Sequence, residues 1–184
     1  MSEKGDCEST LPTVFPDMRL EDARHWLFEK LSTGHGCPCC GQFAKRYRYC
    51  FSENVCRFLM VLYRIRKSTS RFIHVTEILK YDPQILMSRD FLRPAFYGLI
   101  EEAPNPDDAK KKRSGLWRIS NRGVDFCEGQ LEIQKYVVMY DGRVLWYEEP
   151  WVKIWDFNGE HFNYQDAMRS CELQAAEAKK TGAV

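Results

Sequence analysis

Apolar residues recur at helical spacing in the first half of this chain and alternate with polar ones near its end. Leu20, Ala23, Leu27 and Leu31 fall on one helical face, with Asp17 as the cap and Gly34 as the stop. Ser52 opens a stronger amphipathic helix in which Val55, Phe58, Leu59, Leu62 and Ile65 share a face and Arg57, Arg64 and Lys67 turn away. Arg71 to Val75 is short and β-prone, and Thr76 then caps a brief helix, TEILK. After Tyr81-Asp82-Pro83, Ser88 caps RDFLRPAFYGLIEE, with Leu92, Phe96, Leu99 and Ile100 as its buried side. Pro94 lies inside that segment. It removes the bond to the Asp90 carbonyl and should kink or shorten the helix at a cost of ~3 kcal/mol.

A breaker segment of Pro104, Asn105, Pro106 and two Asp follows, then LWRIS, which alternates inward and outward as a strand. Asn121-Arg122-Gly123 reads as a turn into VDFCEG. From Gln130 the pattern becomes β: KYVVMYDGRVLWYEE predicts a hairpin around Asp141-Gly142, and WVKIWDF a third strand. Asp166 to Ala178 predicts a terminal helix. The expected class is α+β in four segments: an arm and helix (1–33), a cysteine-rich segment (34–51), a central domain (52–129), and a β-rich extension with its helix (130–184).

Composition narrows the class without naming a function. At 184 residues, 44% hydrophobic and 29% charged, the chain can bury one core with an appendage, or two small ones. No apolar run approaches the ~20 residues of a membrane helix. The N-terminus MSEKGDCEST lacks the basic start and apolar stretch of a secretory signal, so the expected location is cytoplasmic. The net charge of +1 conceals an asymmetry. Residues 34–124 hold 17 Lys and Arg against eight acids, whereas residues 125–184 hold 11 acids against six bases. A basic middle between acidic ends suits a central domain that faces phosphate.

Eight cysteines are many for a cytoplasmic chain, and a local cluster there favours metal over disulfides. Cys37-Pro38-Cys39-Cys40-Gly41 holds a C-x-x-C with Pro inside and Gly after, the form of a zinc knuckle. Tetrahedral Zn2+ needs four ligands. Cys37 and Cys40 supply two, and Cys50 and Cys56 are the nearest second pair, with His35, His25 or His74 as alternatives. The competing reading makes Cys50 and Cys56 core thiols and CPCC a tight turn. A bound zinc would be structural, pinning the first helix to the central domain.

At SRDFLRPAFYGLIEE and GLWRISNRG the chain resembles the winged helix-turn-helix proteins of the MarR/PadR-like group. The matching phrases are Gly98-Leu99-Ile100-Glu101 and Trp117-Arg118-Ile119-Ser120-Asn121-Arg122-Gly123, within residues 52–129. The layout, with CPCCGQ ahead of that domain and a β-rich tail, is also similar to small proteins of bacteriophages and prophages. The first resemblance implies a helix in the major groove and a wing along the backbone. Carried across by position, Arg89 and Arg93 reach base edges, while Lys110, Lys111, Lys112, Arg113 and Arg118 contact phosphate. It implies double-stranded DNA as partner and a homodimer matched to two half-sites.

No Gly-rich phosphate loop, nucleophile elbow or H-E-x-x-H is present, and the four histidines are dispersed, so no enzyme is expected. The reading is a non-enzymatic DNA-binding protein, most simply a phage-encoded transcriptional regulator. Its rival is a protein-binding module that modulates a host defence protein, with the aromatic tail as its grip.

Overall fold

One helix organises the larger part of the molecule. The computed structural model describes residues 17–66, 71–83, 85, 90–105 and 114–180. They form two compact units, Met1–Tyr49 with Val138–Trp146, and Cys50–Val137 with Tyr147–Val184. The architecture is α+β, with helices and three small sheets among the described residues.

In the second unit, α2 (Glu53–Arg66) starts where the Ser52 carbonyl accepts from the amides of Val55 and Cys56 at 3.0 and 3.1 Å. Its predicted inner face is buried, and so are Cys56, Met60, Val61 and Tyr63. The apolar surface wraps most of the helix because further helices and a strand pack around it. Phe51, just ahead of α2, is 1% exposed and anchors the core. Its ring meets those of Tyr97, Phe126 and Phe157 at 5.2, 5.5 and 5.4 Å.

Strand β4 (Ile73–His74) leads directly into α3 (Val75–Tyr81). The cap is His74, not Thr76: the ring Nδ1 accepts from the Thr76 amide at 3.3 Å. The long helix expected from Ser88 to Glu102 is not formed over its described part. Arg93–Tyr97 is a short 3-10 helix with Pro94 in its first turn, and Gly98 at φ 68 ends it. Ile100–Glu102 is instead strand β5. Pro94 cannot donate the helical hydrogen bond, and Gly98 turns the chain away, so the helix stops where the periodicity alone would have continued it.

Strand β6 (Leu116–Ile119) buries Trp117 and Ile119 and turns Leu116 and Arg118 outward, as the alternation predicts. It lies between its neighbours in an antiparallel sheet of order β4-β6-β5. The register sets Ile73 opposite Trp117, Ile100 opposite Ile119 and Glu101 opposite Arg118. The expected turn at Asn121-Arg122-Gly123 is the first turn of a helix, α4 (Asn121–Cys127). Ser120 Oγ accepts from the Gly123 amide at 3.0 Å and donates to the Gly98 carbonyl at 2.7 Å, so one hydroxyl caps α4 and ties it to the chain before β5.

Strands β7 (Ile133–Tyr140) and β8 (Arg143–Val152) flank the predicted turn, where Asp141 and Gly142 have φ of 50 and 70. The third strand is not WVKIWDF. Ile154–Phe157 is a 3-10 helix in which Asp156 accepts from the Lys153 amide at 2.7 Å, and its buried residues lie three apart. The sheet is completed by β3 (Tyr47–Cys50), in the order β3-β7-β8. The terminal helix α5 (Tyr164–Lys180) begins slightly earlier than expected, with Asn163 Oδ1 accepting from the Asp166 amide at 3.1 Å.

The first unit holds α1 (Leu20–Lys30), which buries Ala23 and is followed by buried Leu31, while Leu20 is 59% exposed. Arg19 occupies the N-cap without a side-chain bond, so Asp17 is not the cap. The stop is as expected: Gly34, at φ 85, donates to the Lys30 carbonyl at 3.0 Å. A small antiparallel pair, β1 (His35–Gly36) and β2 (Phe43–Ala44), carries the cysteine segment between its strands. No helix among the described residues is long and apolar enough to cross a membrane.

Candidate nucleic-acid interface and cysteine hairpin

Two groups of predicted site residues can be placed. Of the residues expected to contact DNA, Arg93 and Arg118 are described, while Arg89, Lys110, Lys111, Lys112 and Arg113 lie outside the described residues. Arg93 opens the 3-10 helix with its side chain only 20% exposed. One guanidinium nitrogen donates to the Cys50 carbonyl at 2.7 Å, and the other meets Asp90 Oδ1 at 2.7 Å. This geometry ties the segment between α3 and β5 to the start of α2, and the charge is largely spent on it.

Arg118 sits on the outer face of β6. Its Nε donates to Glu101 Oε2 at 2.8 Å across the strand pair, and the guanidinium lies 4.4 Å over the Phe72 ring. The pair is exposed, at 42% and 46%, so water screens it and Arg118 can exchange Glu101 for another anion.

The β5–β6 hairpin is closed at its base. The Ala103 amide donates to the Leu116 carbonyl at 2.9 Å, and Ser114 Oγ donates to the Ala103 carbonyl at 2.7 Å. In sequence, Lys110 to Arg113 fall between Ala103 and Ser114, outside the described residues.

Sequence reasoning missed an aromatic recess in the same unit. Tyr97, Arg122, Ile133, Gln134, Tyr147 and Trp151 line a cavity of about 270 Å³. Tyr147 donates to the Phe96 carbonyl at 2.6 Å and its ring lies 5.2 Å from that of Tyr97. The Tyr97 hydroxyl is buried without a hydrogen-bond partner among the described residues, and burial pushes its pKa up. Asn121-Arg122-Gly123 reads as a turn in the sequence, and only the helical register of α4 brings Arg122 here.

The cysteine hairpin forms in the first unit. The Cys37 amide donates to the Gln42 carbonyl and the Gly41 amide to the Cys37 carbonyl, both at 2.8 Å, with Gly41 at φ 72. The backbone N–H groups of Cys39 and then Cys40 donate to Cys37 Sγ and hold its pKa below the usual thiol value. Cys37 and Cys40 also line a cavity of about 410 Å³ with Leu27, Phe43, Lys45 and Tyr47.

Cys50 and Cys56, the proposed second pair, lie in the other unit. Cys50 Sγ donates to the Phe51 carbonyl at 3.1 Å. Cys56 is fully buried in α2, and burial pushes its thiol well above the ordinary value, which favours the neutral form over a thiolate ligand. Among the described residues no group of three or more His, Cys, Asp or Glu is arranged to hold a metal ion. Compared with known protein families, curated proteins and solved structures, the chain matches none.

The partners of Arg93 yield a first prediction. Arg93→Ala should destabilise the protein by about 2 kcal/mol, the scale of losing charge-assisted hydrogen bonds, and leave any DNA-sequence preference unchanged. Chemical denaturation and a competition assay on several duplexes check both halves. A variant as stable as the parent, with altered preference, would return Arg93 to base reading.

Proposed function

We infer that the chain is a non-enzymatic DNA-binding protein whose second unit is a winged helix, acting as a transcriptional regulator of the phage-borne kind that its layout resembles. The observation that carries the reading is the clasp between β5 and β6, two strands whose intervening sequence holds four consecutive cations, Lys110 to Arg113. The order of helix, strand, helix, short 3-10 helix and antiparallel hairpin supports it. So does the excess of Lys and Arg over residues 34–124.

Within this reading the wing is the main contact and makes phosphate contacts that are blind to sequence. The short element around Pro94 offers little helix to lay in a groove. Sequence reading falls to Arg89, which lies outside the described residues. A fluorescence-anisotropy titration of duplex DNA at low salt tests the proposal. Micromolar or tighter binding is expected. Its absence with folded protein would overturn the reading.

One observation favours the rival, a protein-binding module. Tyr147 and Trp151 lie four residues apart on β8, hence on one face, and are 37% and 56% exposed, with Trp155 beyond them at 39%. Exposed aromatics of this kind fit a protein contact better than a solvated strand.

A further inference from the structure

The second unit carries a further recess, walled by α2, the end of α3 and residues 161–171, with a volume of about 220 Å³. One side is apolar, where Met60, Val61, Phe162 and Cys171 are buried. The other side is polar and holds Arg57, Arg64, Asp82, His161 and Asn163. An apolar cavity of ~150 Å³ holds benzene, so there is room here for one ring and a small charged group, not for a polymer.

The charges in this wall do not cancel. Arg57 Nε donates to Asp82 Oδ2 at 2.7 Å and its Nη2 meets the same oxygen at 2.7 Å, which closes one ion pair. Among the described residues Asp82 is the acid of the wall, and Arg57 holds it. Arg64 lies 5.7 Å over the Tyr81 ring, a contact that leaves its charge in place. The Arg64 Nε is buried with no hydrogen-bond partner among the described residues. Buried N–H groups of this kind are uncommon and mark places where water or an ion completes the bond. A guanidinium shielded from water in this way also attracts an anion more strongly than an exposed one does. The neighbouring side chains add donors. Asn163 Oδ1 accepts from the Asp166 amide at 3.1 Å, so what its side chain offers a ligand is N–H. His161 stands at the exposed rim, its Nε2 4.0 Å from Glu160 Oε2.

We propose that this recess binds a small phosphate monoester with an apolar body. The phosphoryl group meets Arg64, Asn163 and His161, and the body rests on Met60, Val61 and Phe162. Three donor side chains match the three terminal oxygens of a phosphoryl group, one more than a carboxylate presents. Its charge of about −1.5 to −2 near pH 7 is met first by Arg64 and then by His161, whose ring gains charge on protonation. Inorganic phosphate makes the polar contacts and leaves the apolar wall unused. The site is independent of DNA binding, so either can fail without the other.

The test is a calorimetric titration of the full chain with phenyl phosphate, inorganic phosphate and benzoate. Phenyl phosphate is expected to bind with submillimolar affinity, and the other two at least tenfold more weakly. Arg64→Gln should weaken phenyl phosphate about tenfold or more, the scale of a hydrogen bond to a charged group. Ala167→Leu, which fills the recess from α5 without touching a charge, should abolish binding with the circular dichroism of the fold retained. In the parent protein the Arg64 Nε–H resonance should shift as phenyl phosphate is added, a readout that needs no variant to fold. Inorganic phosphate binding as tightly as phenyl phosphate would mean an adventitious ion only and overturn the proposal. Benzoate binding as tightly would overturn the phosphate class. An unmoved Arg64 resonance, unchanged affinity in folded Arg64→Gln or Ala167→Leu, or no binding of phenyl phosphate by folded protein would each overturn the site.

Discussion

Gly123→Ala should cost about 3 kcal/mol, at the upper end of what an inserted methyl costs in a packed interior. For a chain of this size that is a fall of roughly 10 °C in melting temperature. A Cβ at Gly123 would run into the Leu99 carbonyl oxygen and into Ile119 Cγ1. The carbonyl cannot retreat easily, because it accepts from the Ser120 amide at 3.0 Å, and Ser120 caps the helix that carries Gly123. Alanine is a better helix former than glycine by ~1 kcal/mol, which offsets part of the loss and makes the net sign informative. Gly142→Ala is the control: among the described residues nothing lies within 4 Å of its Cβ, so only the positive φ resists, at a cost nearer 1 kcal/mol. Calorimetry on the two variants decides. If Gly123→Ala melts with the parent protein, α4 does not approach Leu99 and Ile119 as closely as described.

The second large effect is expected at the run of four cations, Lys110 to Arg113. Replacing Lys110, Lys111, Lys112 and Arg113 together by Ala should weaken duplex binding about a hundredfold near 0.1 M salt, from the loss of four phosphate contacts. The loss should be alike on unrelated sequences, since phosphate contacts carry no base information. Stability should hardly change, because the clasp at Ala103, Ser114 and Leu116 is made by backbone groups and a serine outside the substituted run. A variant that binds DNA as the parent does would remove the wing from the interface. Losing discrimination between sequences, with affinity kept on random DNA, would instead make these side chains base readers.

Legibility in the sequence followed the physics of each element. Helix α2 and the β7–β8 hairpin were read correctly because their apolar spacing and the Asp141-Gly142 turn are local signals. The segment around Pro94 was harder: Leu92, Phe96, Leu99 and Ile100 suit a helical face, yet Pro94 and Gly98 were stronger than that periodicity. Consecutive burial of Leu99 and Ile100 is a property of the sheet they enter, which the segment alone does not reveal. At Asn121-Arg122-Gly123 the glycine suggested a turn, whereas it is there for close packing inside α4, and the cap was the serine before it. Strand β3 hid in a basic, aromatic run that reads as surface.

The candidate site divides the same way. The cysteine hairpin was legible because Pro38 and Gly41 dictate the turn, and the amides that face Cys37 follow from it. What would complete a metal site depends on partners distant in sequence, and no local pattern encodes that. Arg93 looked free, although Asp90 three residues earlier was already a partner at helical spacing; its bond to the Cys50 carbonyl needed the fold. Arg118 finds Glu101 only through the β5–β6 register.

The salt dependence of binding tests most directly the proposal that this protein meets DNA through its phosphates. The logarithm of the association constant, measured on one duplex from about 50 to 200 mM salt, should fall against log salt with a slope of roughly −4, as four released counterions require. A slope near zero, or no binding at the lowest salt by folded protein, would contradict the account and leave the exposed aromatics of β8 as the face by which this protein works.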